Sequence, residues 1–439
     1  MNKKITLLFL LVLSVFAAQA QEEVDLNISF SDPILLSGGT RTNYLKIGLT
    51  GFRADLTGER PAVNAAIVLD VSGSMQGQKI EQAVMAARTA IDMLRDGDIA
   101  SIITYSDYAE VLMPAQPLSS RNRTRFHIIL DGIYADGSTA LFSGVSMGGS
   151  QLDLYLSDQM VNRVILLSDG LANVGPSTPG ELGNLGEILR RRGISVSTIG
   201  LGAGYNDALM FELANRSDGN HAFVENPRDL VGIFEKEFET LMAVVAQDLK
   251  VRIRCGDGVR PVRLINRIGE IYGDEVVIDI NQLYSMQEQY IILETEFQPG
   301  KAGSGLRAVD VSLDYLNMFT KNEENLRQSA DVSFSDDESV ILANRDNKTA
   351  ADAIFQTATA ANIRAVELRD QGKIKEAEDL LVGNASLLNN MAVQLGDEKL
   401  KIYAEQNEEE ATLLYEENWE ILRKSMRDSQ YENQKQQTY

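Results

Sequence analysis

The segment IVLDVSGSM, residues 67–75, places oxygen-bearing side chains at every second position directly after an apolar run. Asp70 supplies a carboxylate, and Ser72 and Ser74 supply two hydroxyl groups. Gly73 between the serines permits backbone dihedral angles that other residues avoid. Because these side chains share one tight loop, they can converge on one point. Hard oxygen donors of this kind suit Mg²⁺, with Mn²⁺ and Ca²⁺ as further candidates.

Two other segments offer oxygen donors at comparable positions. DGSTAL, residues 136–141, provides Thr139 just before a predicted helix, and ILLSDG, residues 165–170, provides Asp169 after a second apolar run. In a parallel sheet these loops belong to the same edge, where ligands bind in α/β proteins. Two carboxylates and three hydroxyls do not fill all six positions of a six-coordinate Mg²⁺. An incoming carboxylate could therefore occupy the remaining position.

The elements that must position these loops are predicted from hydrophobic periodicity. Strands and helices alternate between about residues 63 and 245, which predicts an α/β domain with a mostly parallel sheet covered on both faces. The predicted strands are 65–69, 99–104, 161–167, 194–199 and 221–224. The predicted helices are 79–94, 121–130, 140–156, 181–192, 206–215 and 229–246.

We place this domain at residues 63–246. The segments on either side of it show different hydrophobic periodicities. Residues 21–62 and 247–340 show strand alternation, and we expect the first set to complete an antiparallel β-sandwich formed by the second. Residues 341–430 are predicted to be helical, with a hairpin over 365–381 and a long helix over 399–426. Residues 431–439 are polar and are predicted to be a disordered tail.

The order Asp-x-Ser-x-Ser, then Thr, then Asp resembles the metal-ion-dependent adhesion site (MIDAS) of the von Willebrand factor A (VWA) domain. Asp70, Ser72, Ser74, Thr139 and Asp169 match that pattern in sequence order and in loop context. The resemblance implies a Rossmann-like, doubly wound fold. It also implies that these five residues hold Mg²⁺ directly or through water, and that a protein partner completes the coordination with an Asp or Glu carboxylate.

The layout of the whole chain is more loosely similar to inter-alpha-trypsin inhibitor heavy chains and to calcium-activated chloride channel regulators. Those regulators carry an H-E-x-x-H protease motif, whereas this chain has only His127 and His221, and neither lies in such a motif. Ser72 as a nucleophile would need a nearby base, and its loops contain no histidine. We therefore interpret the chain as a binding protein without enzymatic activity.

The N-terminus has the features of a bacterial signal peptide. Positive charge in residues 2–4 precedes the apolar stretch 5–16, and residues 18–20 read Ala-Gln-Ala, which predicts cleavage after Ala20 and export to the periplasm or beyond. No later segment is apolar enough for a membrane span. The net charge of −22 argues against nucleic acid as a partner, and the single cysteine, Cys255, excludes an internal disulfide.

Three functional hypotheses follow from the sequence. The favoured one is an exported adhesion or scaffold protein that binds a partner carboxylate through Mg²⁺. The second is a structural envelope protein that makes its contacts through the sandwich or the helical tail, with a metal that only stabilises it. The third is a metal-assisted hydrolase, which lacks a positioned general base. The partner's identity and the oligomeric state stay open.

Overall fold

The computed structural model describes residues 23–55, 58 and 60–437, so the predicted signal peptide lies outside the described residues. The strands are β1 (Asp25–Phe30), β2 (Ile34–Leu36), β3 (Arg41–Thr50), β4 (Ala62–Asp70), β5 (Ile99–Tyr105), β6 (Ala109–Pro117), β7 (Met160–Ser168), β8 (Ile194–Leu201), β9 (His221–Val224), β10 (Val244–Cys255), β11 (Val259–Leu264), β12 (Glu270–Tyr272), β13 (Glu275–Tyr284), β14 (Glu288–Phe297), β15 (Gly305–Asn317) and β16 (Glu323–Ser335). The α-helices are α1 (Gln78–Met93), α2 (Ser120–Asp131), α3 (Leu141–Leu152), α4 (Pro179–Arg190), α5 (Asp207–Ser217), α6 (Leu230–Met242), α7 (Glu338–Asn344), α8 (Asn347–Asp370), α9 (Ile374–Leu395), α10 (Glu398–Leu413) and α11 (Trp419–Lys435).

The central sheet has the strand order β6-β5-β4-β7-β8-β9. Five of these strands are parallel, which confirms the predicted α/β fold class, and β6 is an antiparallel edge strand that the sequence analysis did not predict. Helices α1, α2 and α6 contribute to the core on one face, and α3, α4 and α5 contribute to the core on the other. The apolar run of β4 is continuous because both of its faces are buried.

Two further sheets form a β-sandwich from strands on both sides of the α/β domain. One sheet has the order β1-β3-β14-β11, and the other has the order β12-β13-β10-β15-β16-β2. In the first, Ile47 of β3 faces Ile291 of β14, and in the second, Leu35 of β2 pairs with Phe334 of β16. Strand β16 was not predicted because only two of its thirteen residues are buried, and both lie near its end.

The α/β domain continues into the sandwich almost without a linker. Helix α6 ends at Met242 and β10 begins at Val244, so the predicted helix over 229–246 is too long. Val244 and Val245 are β-branched and fully buried, which favours the strand. The end of α6 and the start of the sandwich are therefore fixed to each other by the covalent chain.

The helical segment contains more elements than predicted. Helices α8 and α9 form a hairpin around a turn at Gly372 (φ +79°), which allows a conformation that other residues avoid. The predicted long helix over 399–426 is wrong, since α10 ends at Leu413 and α11 begins at Trp419. Within the described residues, no helix has the length and apolar character needed to cross a membrane.

The predicted disordered tail over 431–439 is also wrong for the residues that the structure describes. Helix α11 continues to Lys435, and the fully buried Tyr431 donates a hydrogen bond to the Gly219 carbonyl of the α/β domain. Lys435 Nζ lies 2.9 Å from Asp218 Oδ1. The polar residues of this segment are therefore used for contacts with the rest of the protein rather than for solvation.

Candidate metal centre

The predicted site residues meet at the carboxyl edge of the central sheet. Asp70 is the last residue of β4, and Asp169 directly follows the last residue of the neighbouring strand β7. Ser72 Oγ and Ser74 Oγ lie 3.0 Å apart, and Ser74 Oγ donates a 2.6 Å hydrogen bond to Asp169 Oδ1. Two loops that are 95 residues apart in sequence are therefore joined by one chain of hydrogen bonds.

The Asp70 carboxylate is buried behind the two serines. Its Oδ1 accepts a 2.9 Å hydrogen bond from the backbone N–H of Ser72, and its Oδ2 accepts a 2.9 Å bond from Ser168 Oγ. Burial raises the pKa of Asp70 to about 6; hydrogen bonds from Ser72 oppose this shift and the nearby Asp169 carboxylate adds to it. Ser168 was missed by the sequence analysis, although it directly precedes Asp169.

Thr139 lies beside this cluster because Gly170 leaves room for it. A Cβ atom on Gly170 would lie 3.1 Å from Thr139 Oγ1 and 3.4 Å from Ser74 Oγ, so the three residues converge on one small space. The Thr139 N–H donates to Asn173 Oδ1 at 2.8 Å, and the Asn173 N–H donates to the Thr139 carbonyl at 3.1 Å. These bonds hold the second loop, residues 136–141, against the third loop, which follows β7.

Backbone hydrogen bonds connect the first loop to the second. The Gly73 N–H donates to the Gly137 carbonyl at 3.0 Å, and the Asp136 N–H donates to the Val71 carbonyl at 2.7 Å. Gly137 has φ +86°, a conformation that favours glycine. The first and second loops are thus joined by main-chain contacts that do not involve the five site residues.

Lys79 is a further site residue that the sequence analysis missed. It lies in the first turn of α1, five residues after Ser74, and its Nζ donates to Asp169 Oδ2. The Asp169 side chain is fully buried, whereas the Lys79 side chain is 31 % exposed, so the lysine reaches the carboxylate from the solvent side. The short spacing from the serine loop is the signal that could have identified it.

The donor set of this cluster fits a hard divalent cation. Ligands at adjacent corners of a Mg²⁺ octahedron lie about 3 Å apart, since each bond is about 2.1 Å long. The two serine hydroxyl oxygens are 3.0 Å apart. Among the described residues no group of three or more His, Cys, Asp or Glu side chains could hold a metal.

The other titratable side chains considered from the sequence have structural surroundings. His221 is buried against Tyr431 and Thr198, and burial lowers its pKa to about 4. His127 on α2 contacts Asp92 at 3.1 Å, and the buried Cys255 thiol has a pKa raised to about 11 by burial.

Comparisons with known proteins agree with this architecture. A family model described as von Willebrand factor type A domain matches residues 64–236. Uncharacterized protein YfbK of Escherichia coli is 26 % identical over 197 residues, which span 44 % of this chain and 34 % of YfbK. The bovine inter-alpha-trypsin inhibitor heavy chain H3 is 30 % identical over 122 residues, or 26 % of this chain and 14 % of that one. The chain thus covers only about a third or less of these relatives.

A solved structure extends the likeness to the flanking parts of the chain. The von Willebrand factor type A protein from Catenulispora acidiphila superimposes with a TM-score of 0.71 at 16 % identity, covering 96 % of this chain and 98 % of that one. At this identity the likeness concerns the fold alone, and it includes the sandwich and helices as well as the α/β domain. The α/β domain of this chain is a von Willebrand factor type A domain.

Proposed function

We propose that this protein is an exported, divalent-metal-dependent protein-binding protein. Asp70, Ser72, Ser74, Thr139 and Asp169 hold Mg²⁺, and a carboxylate from a partner protein completes its coordination. The observation that carries this proposal is the unbroken chain of contacts from Ser72 through Ser74 to Asp169 at the sheet edge. VWA domains are typically metal-dependent protein-interaction modules, which agrees with this assignment.

The residues of the proposed site have different roles in holding the cation. The hydroxyls of Ser72 and Ser74 and the Asp169 carboxylate face one another, while Asp70 orients the first loop by accepting the Ser72 N–H. The bound cation supplies a localised positive charge on a strongly acidic protein. Since complementary charge gives specificity in association, an anionic group on the partner is the expected ligand.

The surface around the site supports a protein partner. Tyr108, between β5 and β6, is 68 % exposed; Tyr134, in the loop between α2 and α3, is 79 % exposed; Leu171, two residues after Asp169, is 60 % exposed. Tyrosine is enriched among the residues that dominate protein interfaces. These side chains can contribute apolar contact area around a carboxylate bound at the metal.

The proposal is tested by measuring the free energy of unfolding of residues 21–439 in Mg²⁺ and in EDTA. At a Mg²⁺ concentration a hundred times its Kd, the free energy of unfolding should rise by about 2.7 kcal/mol. Asp169→Asn should lose this stabilisation. Asp131→Asn is the matched control, because Asp131 is an exposed carboxylate of the same domain that pairs with Arg88.

Partner capture from a bacterial envelope extract completes the test. A protein retained by the wild-type chain in Mg²⁺, and lost both in EDTA and with Asp169→Asn, would support metal-bridged binding. Capture that is equal under all three conditions would contradict it. That result would favour the structural alternative, in which the sandwich or the helices make the contacts.

The structural alternative has one observation in its favour. Val382 and Val393 are exposed on α9, eleven residues apart and therefore on the same face of the helix. Removing residues 345–439 would not test this alternative cleanly, because α11 packs on the α/β domain. The double variant Val382→Ser, Val393→Ser changes only the exposed face, and it should leave capture in Mg²⁺ unaffected if the metal site makes the contact.

A further inference from the structure

Lys79 shares the Asp169 carboxylate with the proposed cation. Asp169 Oδ1 accepts the hydrogen bond from Ser74 Oγ at 2.6 Å, and Asp169 Oδ2 accepts a hydrogen bond from Lys79 Nζ. A Cβ atom on Gly202 would lie 3.9 Å from both Cε and Nζ of Lys79. The end of the lysine side chain is therefore held between the buried carboxylate and the loop that follows β8.

The lysine changes the charge of the site. Asp70 and Asp169 contribute two negative charges, and the ammonium group of Lys79 offsets one of them. A divalent cation then leaves the loaded site with one net positive charge, whereas the same site without the lysine would be neutral. Nζ donates to Asp169 Oδ2, and a cation held beside the serine hydroxyls would lie within a few ångströms of it. Their repulsion would therefore be strong in a partly buried site.

We propose that Lys79 sets the charge of this site, so that the metal alone is held weakly and an anionic ligand is bound more tightly. This inference rests on the proposed function. The lysine opposes the cation until a carboxylate from outside the protein offsets the excess positive charge. Metal and anion therefore bind cooperatively, and by linkage each raises the affinity of the site for the other by the same factor.

Removing the Lys79 charge should change two quantities in opposite directions: the affinity for the metal alone and the strengthening of metal binding by a carboxylate. Lys79→Met keeps an unbranched apolar side chain and removes the ammonium group. It should raise the affinity for the metal by about tenfold, because a like charge beside it is removed. It should also reduce the ability of an added carboxylate to strengthen metal binding, because the loaded site is then neutral. A purely structural role for Lys79 predicts weaker metal binding instead.

The test uses Mn²⁺ as the metal and acetate as the carboxylate. Free Mn²⁺ is measured by electron paramagnetic resonance as the full chain is titrated at pH 7.5, first in chloride and then with acetate at constant ionic strength. The wild-type chain should bind Mn²⁺ more tightly in acetate. Lys79→Met should bind about tenfold more tightly in chloride, and acetate should then have little effect.

Two variants serve as controls. Lys79→Arg keeps the charge and should behave as the wild-type chain does. Arg88→Met removes a positive charge from the same helix, but Arg88 pairs with Asp131 rather than with the cluster, so Mn²⁺ affinity should be almost unchanged. Thermal unfolding in EDTA checks that each variant is folded.

The outcomes separate this inference from the proposal on which it rests. Failure of the wild-type chain to bind Mn²⁺ would overturn both. Mn²⁺ binding that Asp169→Asn abolishes, but that Lys79→Met leaves unchanged or weakens, would keep the metal site and overturn the role of Lys79. An acetate effect as large in Lys79→Met as in the wild-type chain would also overturn it.

Discussion

Arg163 and Glu237 form an ion pair in which both side chains are completely buried, with 2.7 Å between Nη1 and Oε1. Arg163 lies in β7 and Glu237 in α6, so the pair fixes that helix to the central sheet. Arg163 Nη2 also donates to Tyr284 Oη at 2.9 Å, which extends the contact into the sandwich strand β13. One guanidinium group therefore joins three parts of the fold.

We expect Arg163→Met to lower the free energy of unfolding by about 3–5 kcal/mol, because it leaves the Glu237 carboxylate buried without a nearby guanidinium group. Urea unfolding monitored by circular dichroism measures the change. Arg191→Met is the control, since Arg191 pairs with Glu187 on the exposed face of α4 and such pairs contribute little. Equal, small losses in both variants would contradict the importance of the buried pair.

Ser168→Ala should weaken the candidate metal centre although Ser168 is not one of its five predicted residues. The substitution removes the 2.9 Å hydrogen bond to Asp70 Oδ2, and a bond to a charged group contributes about 1.5–3 kcal/mol. Urea unfolding in EDTA should show a loss of that size, and Mg²⁺ titration should show a lower affinity.

The matched control for that prediction is Ser101→Ala. Ser101 is also fully buried in the central sheet, but its hydroxyl has no hydrogen-bond partner among the described residues. Removing an unsatisfied hydroxyl should cost little stability or should even raise it. A loss for Ser101→Ala as large as that for Ser168→Ala would show that burial, rather than the bond to Asp70, accounts for the effect.

Glu410 should make the helical segment less stable at alkaline pH. Burial raises its pKa from 4.5 to about 7, while the hydrogen bond from Gln406 Nε2 at 2.8 Å opposes that shift. The folded state then holds its proton over a range where the unfolded state has lost it. The contribution of Glu410 to stability therefore falls as the pH rises from about 4.5 to 7.

Glu410→Gln removes this penalty. Relative to the wild-type chain it should gain little stability at pH 4 and up to roughly 3 kcal/mol at pH 8, since one pKa unit corresponds to 1.36 kcal/mol. Thermal or urea unfolding across that range measures the difference. Glu405→Gln changes an exposed carboxylate on the same helix and should show no comparable dependence on pH. A constant difference between the wild-type chain and Glu410→Gln would refute the prediction.

Most strands and helices of the α/β domain could be predicted from local hydrophobic periodicity. The buried strands β4, β5 and β7 contain apolar runs because both faces of a parallel sheet are covered, and the helices between them show one apolar stripe each. Strand β6 was missed because an edge strand is only partly buried and its sequence contains Pro114 and Pro117. The break between α10 and α11 contains neither proline nor glycine, so no helix-breaking residue marks it.

The sequence by itself determined which residues could form a metal site, because Asp70, Ser72 and Ser74 share one loop and Thr139 and Asp169 follow a recognisable order. Only the tertiary structure decided that Lys79 and Ser168 join them, and that Lys435 meets Asp218 across 217 residues of chain. The physical reason is that periodicity records which face of an element is buried. The partner of a polar side chain depends on how distant segments pack, which no local pattern contains.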